Sequence, residues 1–326
     1  MGEINQGHSQ HNMIKDKLNT AANEIIQNAL SNKEPNKDDI FLGISGAEFD
    51  VDEYDFGNGI YLKKTYAFIF APYLAAFKKP LEKGDPSPGP WKTVSGGQSR
   101  YITYELYIPL EFEKSEWFDR LNTAWWILSL LRLKASTLLI APVSSNYSFS
   151  LIGELDLNAN FLTIEFNNTQ LPIKADLNKT ITISDLDWVK QYWQSSGMLF
   201  RNEENFADAY KAADHSIHEK YSSLAMVTIW GALERLFADF KQELNYRVAL
   251  NIATYLEDVG EKRLELFKSI KKLYTARSKA AHGSANEDYQ EYTDSYLLLK
   301  NALIKMIEKN KVPSQADIER LIMCDR

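Results

Sequence analysis

At 326 residues, with 44% hydrophobic and 25% charged side chains, the chain has the composition of a globular protein of one large or two ordinary domains, not of a disordered or fibrous one. A formal net charge of −7 argues against a uniformly basic nucleic-acid-binding surface, and a single cysteine, Cys324, excludes a disulfide framework and a thiolate zinc site. The start MGEINQGHSQHN has no basic stretch leading into an apolar run, and the most apolar window, Ala124 to Leu131, falls far short of the roughly 20 residues that cross a bilayer. A cytoplasmic protein with no membrane partner is expected.

Met13 to Leu30 carries apolar residues at helical spacing, and SNKEPNKDD with Pro35 ends it, so residues 1–40 read as an N-terminal helix and linker. From Phe41 to about Thr182 the texture changes to short β-like runs: GIYLKKTYAFIFA, SRYITYELYIPLEF, STLLIAP, NYSFSLIGEL, NFLTIEF and KTITI. A loop with four prolines and four glycines, KKPLEKGDPSPGPWKTVSGGQ, separates the first two, and one helix, SEWFDRLNTAWWILSLLRLKAS, interrupts the series. Residues 41–200 are therefore expected to form a β-rich α+β domain. A helix is predicted at SDLDWVKQYW, with Ser184 and Asp187 at capping-box spacing. Beyond Gly197 the pattern is helical: Phe206 to Phe240 with a break near 215–222, Tyr246 to Ala281, and Glu287 to Lys309. The last carries Tyr289, Tyr292, Tyr296, Leu299, Leu303 and Ile307 on one face. Residues 201–326 are expected to form an all-α bundle, with the domain boundary between Gly197 and Phe206.

Most catalytic constellations are poorly supplied by five histidines and a terminal cysteine. The sequence has no phosphate-binding P-loop, no dinucleotide fingerprint and no nucleophile elbow. His215 and His218 are spaced for one helical face, but without a third ligand they read as surface histidines, and no metal or cofactor is expected. In KKLYTARSKAAHGS, Arg277 and His282 stand five residues apart, about 140° around a helix, so they flank a groove rather than meet. A guanidinium binds phosphate and a histidine moves a proton near neutrality, which together suit a phosphodiester. The plain alternative is an exposed arginine and a capping histidine before Gly283. From Glu261 to His282 there are seven Lys and Arg against two acids, a basic stretch in an otherwise acidic chain. In SLAMVTIWGALERLFADF, Glu234 shares a track with Leu224, Val227, Gly231 and Ala238. It either reaches solvent or the neighbours of Arg235, or orients Arg277 or His282 from the adjacent helix.

The segments IWGALERLF, NYRVALNIA with Arg247, and IKKLYTARSKAAHG, in that order, resemble the signature of HEPN domains, in particular the Apea-like branch. There a helical bundle carries an R-x-x-x-x-H motif after a tyrosine and before a glycine. The resemblance covers about 206–309. It implies a metal-independent endoribonuclease, active as a homodimer whose two motifs face each other, of the kind found in bacterial toxin, abortive-infection and anti-phage systems. Arg277 and His282 match the motif, Glu234 the acidic position of the preceding helix, and Arg247 a recurrent basic position. Lys271, Lys272 and Lys279 of the basic stretch, with Arg247, are the expected RNA contacts. The β-rich region is expected to sense a phage-derived or protein trigger. A catalytically silent bundle that binds RNA or nucleotide, or mediates assembly, is the alternative.

Overall fold

The computed structural model describes residues 39–76, 92–112, 119–152, 160–165, 171, 173, 176, 179–238, 243–281 and 289–324. The helix expected at Met13 to Leu30 lies outside them. Residues 39–326 form one compact α+β unit in which an antiparallel sheet precedes a set of helices.

The main sheet has the order β3 (Glu53–Gly57), β4 (Ile60–Ala76), β5 (Lys92–Ile108), β1 (Ile40–Ile44), β6 (Val143–Ser145), β7 (Phe161–Thr163), with every neighbouring pair antiparallel. A small parallel pair joins β2 (Glu48–Phe49) to β8 (Thr180–Ile181). In β5, Ile102, Tyr104, Leu106 and Ile108 are buried at alternate positions, the period that fixes register when one face is covered. β5 begins at Lys92, inside the stretch expected to be loop, and pairs there with Ala76. Tyr101, Tyr104 and Tyr107, three apart, do not act together: Tyr104 is buried with its hydroxyl donating to Val51 O, Tyr107 packs on Phe41 and Tyr61, and Tyr101 is exposed beside Phe68. After β1 the chain turns at Gly46, φ +95°, where a Cβ would lie 1.9 Å from the Leu138 carbonyl oxygen.

Two segments expected as strands form none among their described residues. In STLLIAP only Ile140 makes an isolated bridge, to Ser45, and in NYSFSLIGEL residues Phe149–Leu151 form a 3-10 turn. Buried carboxylates replace the missing ladder partners: Thr137 N donates to Asp176, Ala141 N to Glu165 and Phe149 N to Glu105.

The helices are α1 (Arg120–Lys134), α2 (Ile183–Asn202), α3 (Glu204–Ser216), α4 (Ser222–Phe237), α5 (Leu244–Leu256), α6 (Glu261–Ala281), α7 (Tyr289–Lys309) and α8 (Gln315–Met323). Helix α1 is capped by Asp119, which accepts from Asn122 N, and is buried on nearly every side from Thr123 to Leu133. α2 starts one residue earlier than expected, with the capping box formed by Thr182 and Asp185, not by Ser184 and Asp187. The expected break between α3 and α4 is present. The helix expected from Tyr246 to Ala281 is two helices, because the chain turns at Asp258–Val259–Gly260 with Gly260 at φ +153°, a conformation L side chains rarely adopt. Of the stripe expected on α7, Tyr292, Tyr296, Leu299, Leu303 and Ile307 are buried and Tyr289 is half-buried.

One hydrophobic core runs without a break from Leu42, Leu62 and Leu106 of the sheet through Trp126 and Leu130 of α1 to Trp230, Ile252 and Leu303 of the bundle. α2 crosses the expected boundary at 197–206, so no gap in packing falls there. A polar knot crosses the same seam. Arg132, 1% exposed, donates from Nη2 to both Glu165 oxygens at 3.0 and 2.9 Å, from Nη1 to Asp214 at 2.8 Å and from Nε to Leu139 O at 3.0 Å. His218 Nε2 approaches Glu165 Oε1 at 3.5 Å. Among the described residues no helix is long and apolar enough to cross a membrane.

Candidate functional site

Helix α4 buries Ala225, Met226, Ile229, Trp230, Leu233, Leu236 and Phe237 and turns Leu224 and Gly231 outward. Its inward residues recur at three-four spacing, which directs one face to the core. Glu234 lies at the margin of that face. Opposite it, α6 packs Ile270, Leu273 and Ala276 inward and leaves Tyr274 and Arg277 on the flank toward α4.

The result is an interhelical pair. Arg277 Nη2 lies 3.1 Å from Glu234 Oε1 and 3.4 Å from Oε2, with side-chain exposures of 25% and 21%. Only the longer contact has hydrogen-bond geometry. Glu234 Oε1 and Arg277 Nε are both buried without a hydrogen-bond partner among the described residues. A fork-to-fork pair would engage two guanidinium nitrogens. Here one nitrogen, Nη2, carries the contact.

Tyr274 underlies this pair. The Arg277 guanidinium carbon stands 5.7 Å from the centre of its ring, and Trp230 meets that ring edge-on at 5.2 Å and 87°. Burial, and next the Glu234 carboxylate, push the Tyr274 phenol up to about 12, so it stays protonated through the neutral range. Trp230 is fixed in turn: its indole N–H donates to Ser295 Oγ at 3.0 Å, and that hydroxyl donates to Glu291 O at 2.7 Å. Three helices thus set the position of Arg277. Trp230 and Ser295 were missed from sequence because Trp230 reads as an ordinary core residue; its polar N–H, which needs a buried partner, was the available signal.

His282 follows the last residue of α6 in the chain and lies outside the described residues. Of the expected RNA contacts, Lys271 is on the α5 side of α6, with its ammonium 5.8 Å from the Tyr246 ring centre and 5.5 Å from that of Phe267. It lines an open recess of about 520 Å³ with Glu243, Leu244, Asn245 and Tyr246. Six residues of helix separate Lys271 from Arg277, about 9 Å of rise and 120° of rotation, so the two address neighbouring positions and not one point. Lys272 and Lys279 are exposed on α6, and Arg247 is half-buried on α5. His215 lies in the last turn of α3 and His218 turns to Glu165. Among the described residues no group of three or more His, Cys, Asp or Glu side chains is placed to hold a metal ion. No family model, no curated protein and no solved structure matches this chain.

Proposed function

We propose that this chain is a metal-independent endoribonuclease of the abortive-infection or toxin type, working as a homodimer with Arg277 and His282 in each site. The observation that carries this reading is the Arg277–Glu234 pair on its Tyr274–Trp230 support. It joins two of the three segments on which the family resemblance rests, and Arg277 Nε has no hydrogen-bond partner among the described residues. Glu234 is a positioning residue; Arg277 meets the phosphate.

The chemistry divides as follows. The 2′-oxygen attacks phosphorus and the bond to the 5′-oxygen breaks. His282 of one copy takes the 2′-hydroxyl proton, and the imidazolium of the second copy gives a proton to the leaving 5′-oxygen. Arg277 stabilises charge on the non-bridging oxygens as the phosphorane forms. The products are a 2′,3′-cyclic phosphate and a 5′-hydroxyl. Incubating the protein with total RNA in excess EDTA and mapping the ends tests this: the wild type leaves cyclic phosphates and His282→Ala leaves the RNA intact. Cleavage that persists in His282→Ala refutes the assignment.

The second copy has a natural place. The outward track of α4 carries Leu224, 54% exposed, with Val227, Thr228 and Gly231, and it ends at Glu234. A Cβ at Gly231 would meet nothing within 4 Å among the described residues. Glycine in a helix interior costs roughly 0.5–1 kcal/mol relative to alanine, so its presence on this face suits close approach of another helix. Gly231→Ala is therefore expected to stabilise the isolated chain by that amount. Gly231→Trp is expected to keep the fold and sediment as a monomer with no cleavage; a dimeric Gly231→Trp would move the interface elsewhere.

A further inference from the structure

The open recess of about 520 Å³ between α5 and α6 is walled by groups that do not satisfy one another. Glu243 and Lys271 line it with opposite charges, yet no ion pair joins them. The Lys271 ammonium rests instead over the Tyr246 and Phe267 rings, 5.8 and 5.5 Å from their centres. Phe267 meets the Tyr246 ring edge-on at 5.3 Å and 78°, which fixes that ring, but Tyr246 is still 51% exposed and keeps surface for a further partner. Asn245 Oδ1, in the same wall, is buried with no hydrogen-bond partner among the described residues. Glu243 itself stands at φ +53°, a left-handed conformation that glycine or asparagine fills at less cost.

A fixed, half-exposed aromatic ring with a cation beside it is a stacking platform for a nucleobase, and the recess has the volume of a small-molecule site. The charges choose among the bases. Guanine alone carries two adjacent donors, N1–H and N2–H, which match the two oxygens of one carboxylate, together with two acceptors, O6 and N7, for an ammonium. Adenine and cytosine bring a single amino group beside an acceptor, and that acceptor would face the Glu243 carboxylate. Uracil sets an acceptor on each side of its one N–H. The recess also lies on a track to the proposed cleavage site. Lys271, Tyr274 and Arg277 recur every three residues along α6, a slanting ridge that leads from the recess to the Arg277–Glu234 pair.

We propose that the recess formed by Glu243, Tyr246 and Lys271 takes a guanine base of single-stranded RNA, from a nucleotide flanking the phosphate that Arg277 meets. The choice of RNA as ligand rests on the ribonuclease reading; the preference for guanine rests on the recess. Fluorescence anisotropy of the full-length His282→Ala chain tests it, with labelled oligouridylates that carry one guanine, one adenine or one cytosine. The guanine RNA is expected to bind tighter than the other two by roughly tenfold or more. Adding Glu243→Gln, at an exposed position, is expected to bring guanine to within about twofold of adenine, and adding Tyr246→Ala to weaken all three by roughly tenfold. Equal affinities in His282→Ala, no binding, a guanine preference that survives Glu243→Gln, or affinities untouched by Tyr246→Ala each overturn the site. The two readings fail separately. Metal-free cleavage by wild type alongside equal affinities keeps the ribonuclease and removes the recess, whereas a guanine preference in a chain that never cuts RNA keeps the recess and removes the ribonuclease. If both hold, the mapped ends carry guanine at a fixed offset from the cut.

Discussion

Arg132→Met is expected to cost about 3–5 kcal/mol of stability, read as a large fall in the urea midpoint, although the substitution keeps an unbranched apolar stem in the same space. The cost comes from what is left behind. Glu165, 3% exposed, and Asp214, 15% exposed, would keep their charges in a site built around the guanidinium, and Leu139 O would lose its donor. Adding Glu165→Gln should recover a substantial part of the loss, since the neutral amide still offers an oxygen to Ala141 N while removing one stranded charge. A loss below 1 kcal/mol in Arg132→Met would show that the knot is not what holds the sheet to the bundle.

Arg277→Lys is expected to reduce single-turnover cleavage of a defined RNA by about 10²–10³ with the unfolding midpoint nearly unchanged. That is the size of effect seen when one fixed donor to a developing oxyanion is removed. Lysine keeps the charge but not the planar fork held between Tyr274 and Glu234. Glu234→Gln should cost less and should be partial, because Tyr274 still supports the guanidinium from below. A rate for Arg277→Lys equal to wild type would remove Arg277 from the chemistry. The partly exposed pair contributes little to stability in either variant, as screened ion pairs do.

The sequence was most readable where one period runs long. The tyrosine and leucine stripe of α7 is set by a single buried face and appears nearly as expected, and the strand expected in SRYITYELYIPLEF is present as part of β5. It was least readable where side chains do the work of a backbone partner. Ser136 to Pro142 has the composition of a strand, but the N–H groups of Thr137 and Ala141 are satisfied by Asp176 and Glu165, which are far away in the chain. The turn at Gly260 was hidden because Val259 preserves an apolar rhythm across it. The Arg277–Glu234 contact was legible as one of several options for Glu234.

The unbroken core also governs how the protein must be made. Helix α1 emerges from the ribosome early, carrying the most apolar window of the chain and, at Arg132, the arginine of the polar knot. The residues that cover it come much later: Tyr210 lies 81 positions downstream of Ser129 and Asp214 lies 82 downstream of Arg132, while α2, which accepts from Trp126 at Trp193 O, is itself tied through Trp188 to Glu308, 120 positions further on. The N-terminal half therefore has no finished surface of its own during synthesis, and the exposed α1 stretch is a target for chaperones and for aggregation until α7 is complete. Truncation anywhere before α7 should yield insoluble protein rather than a smaller folded one.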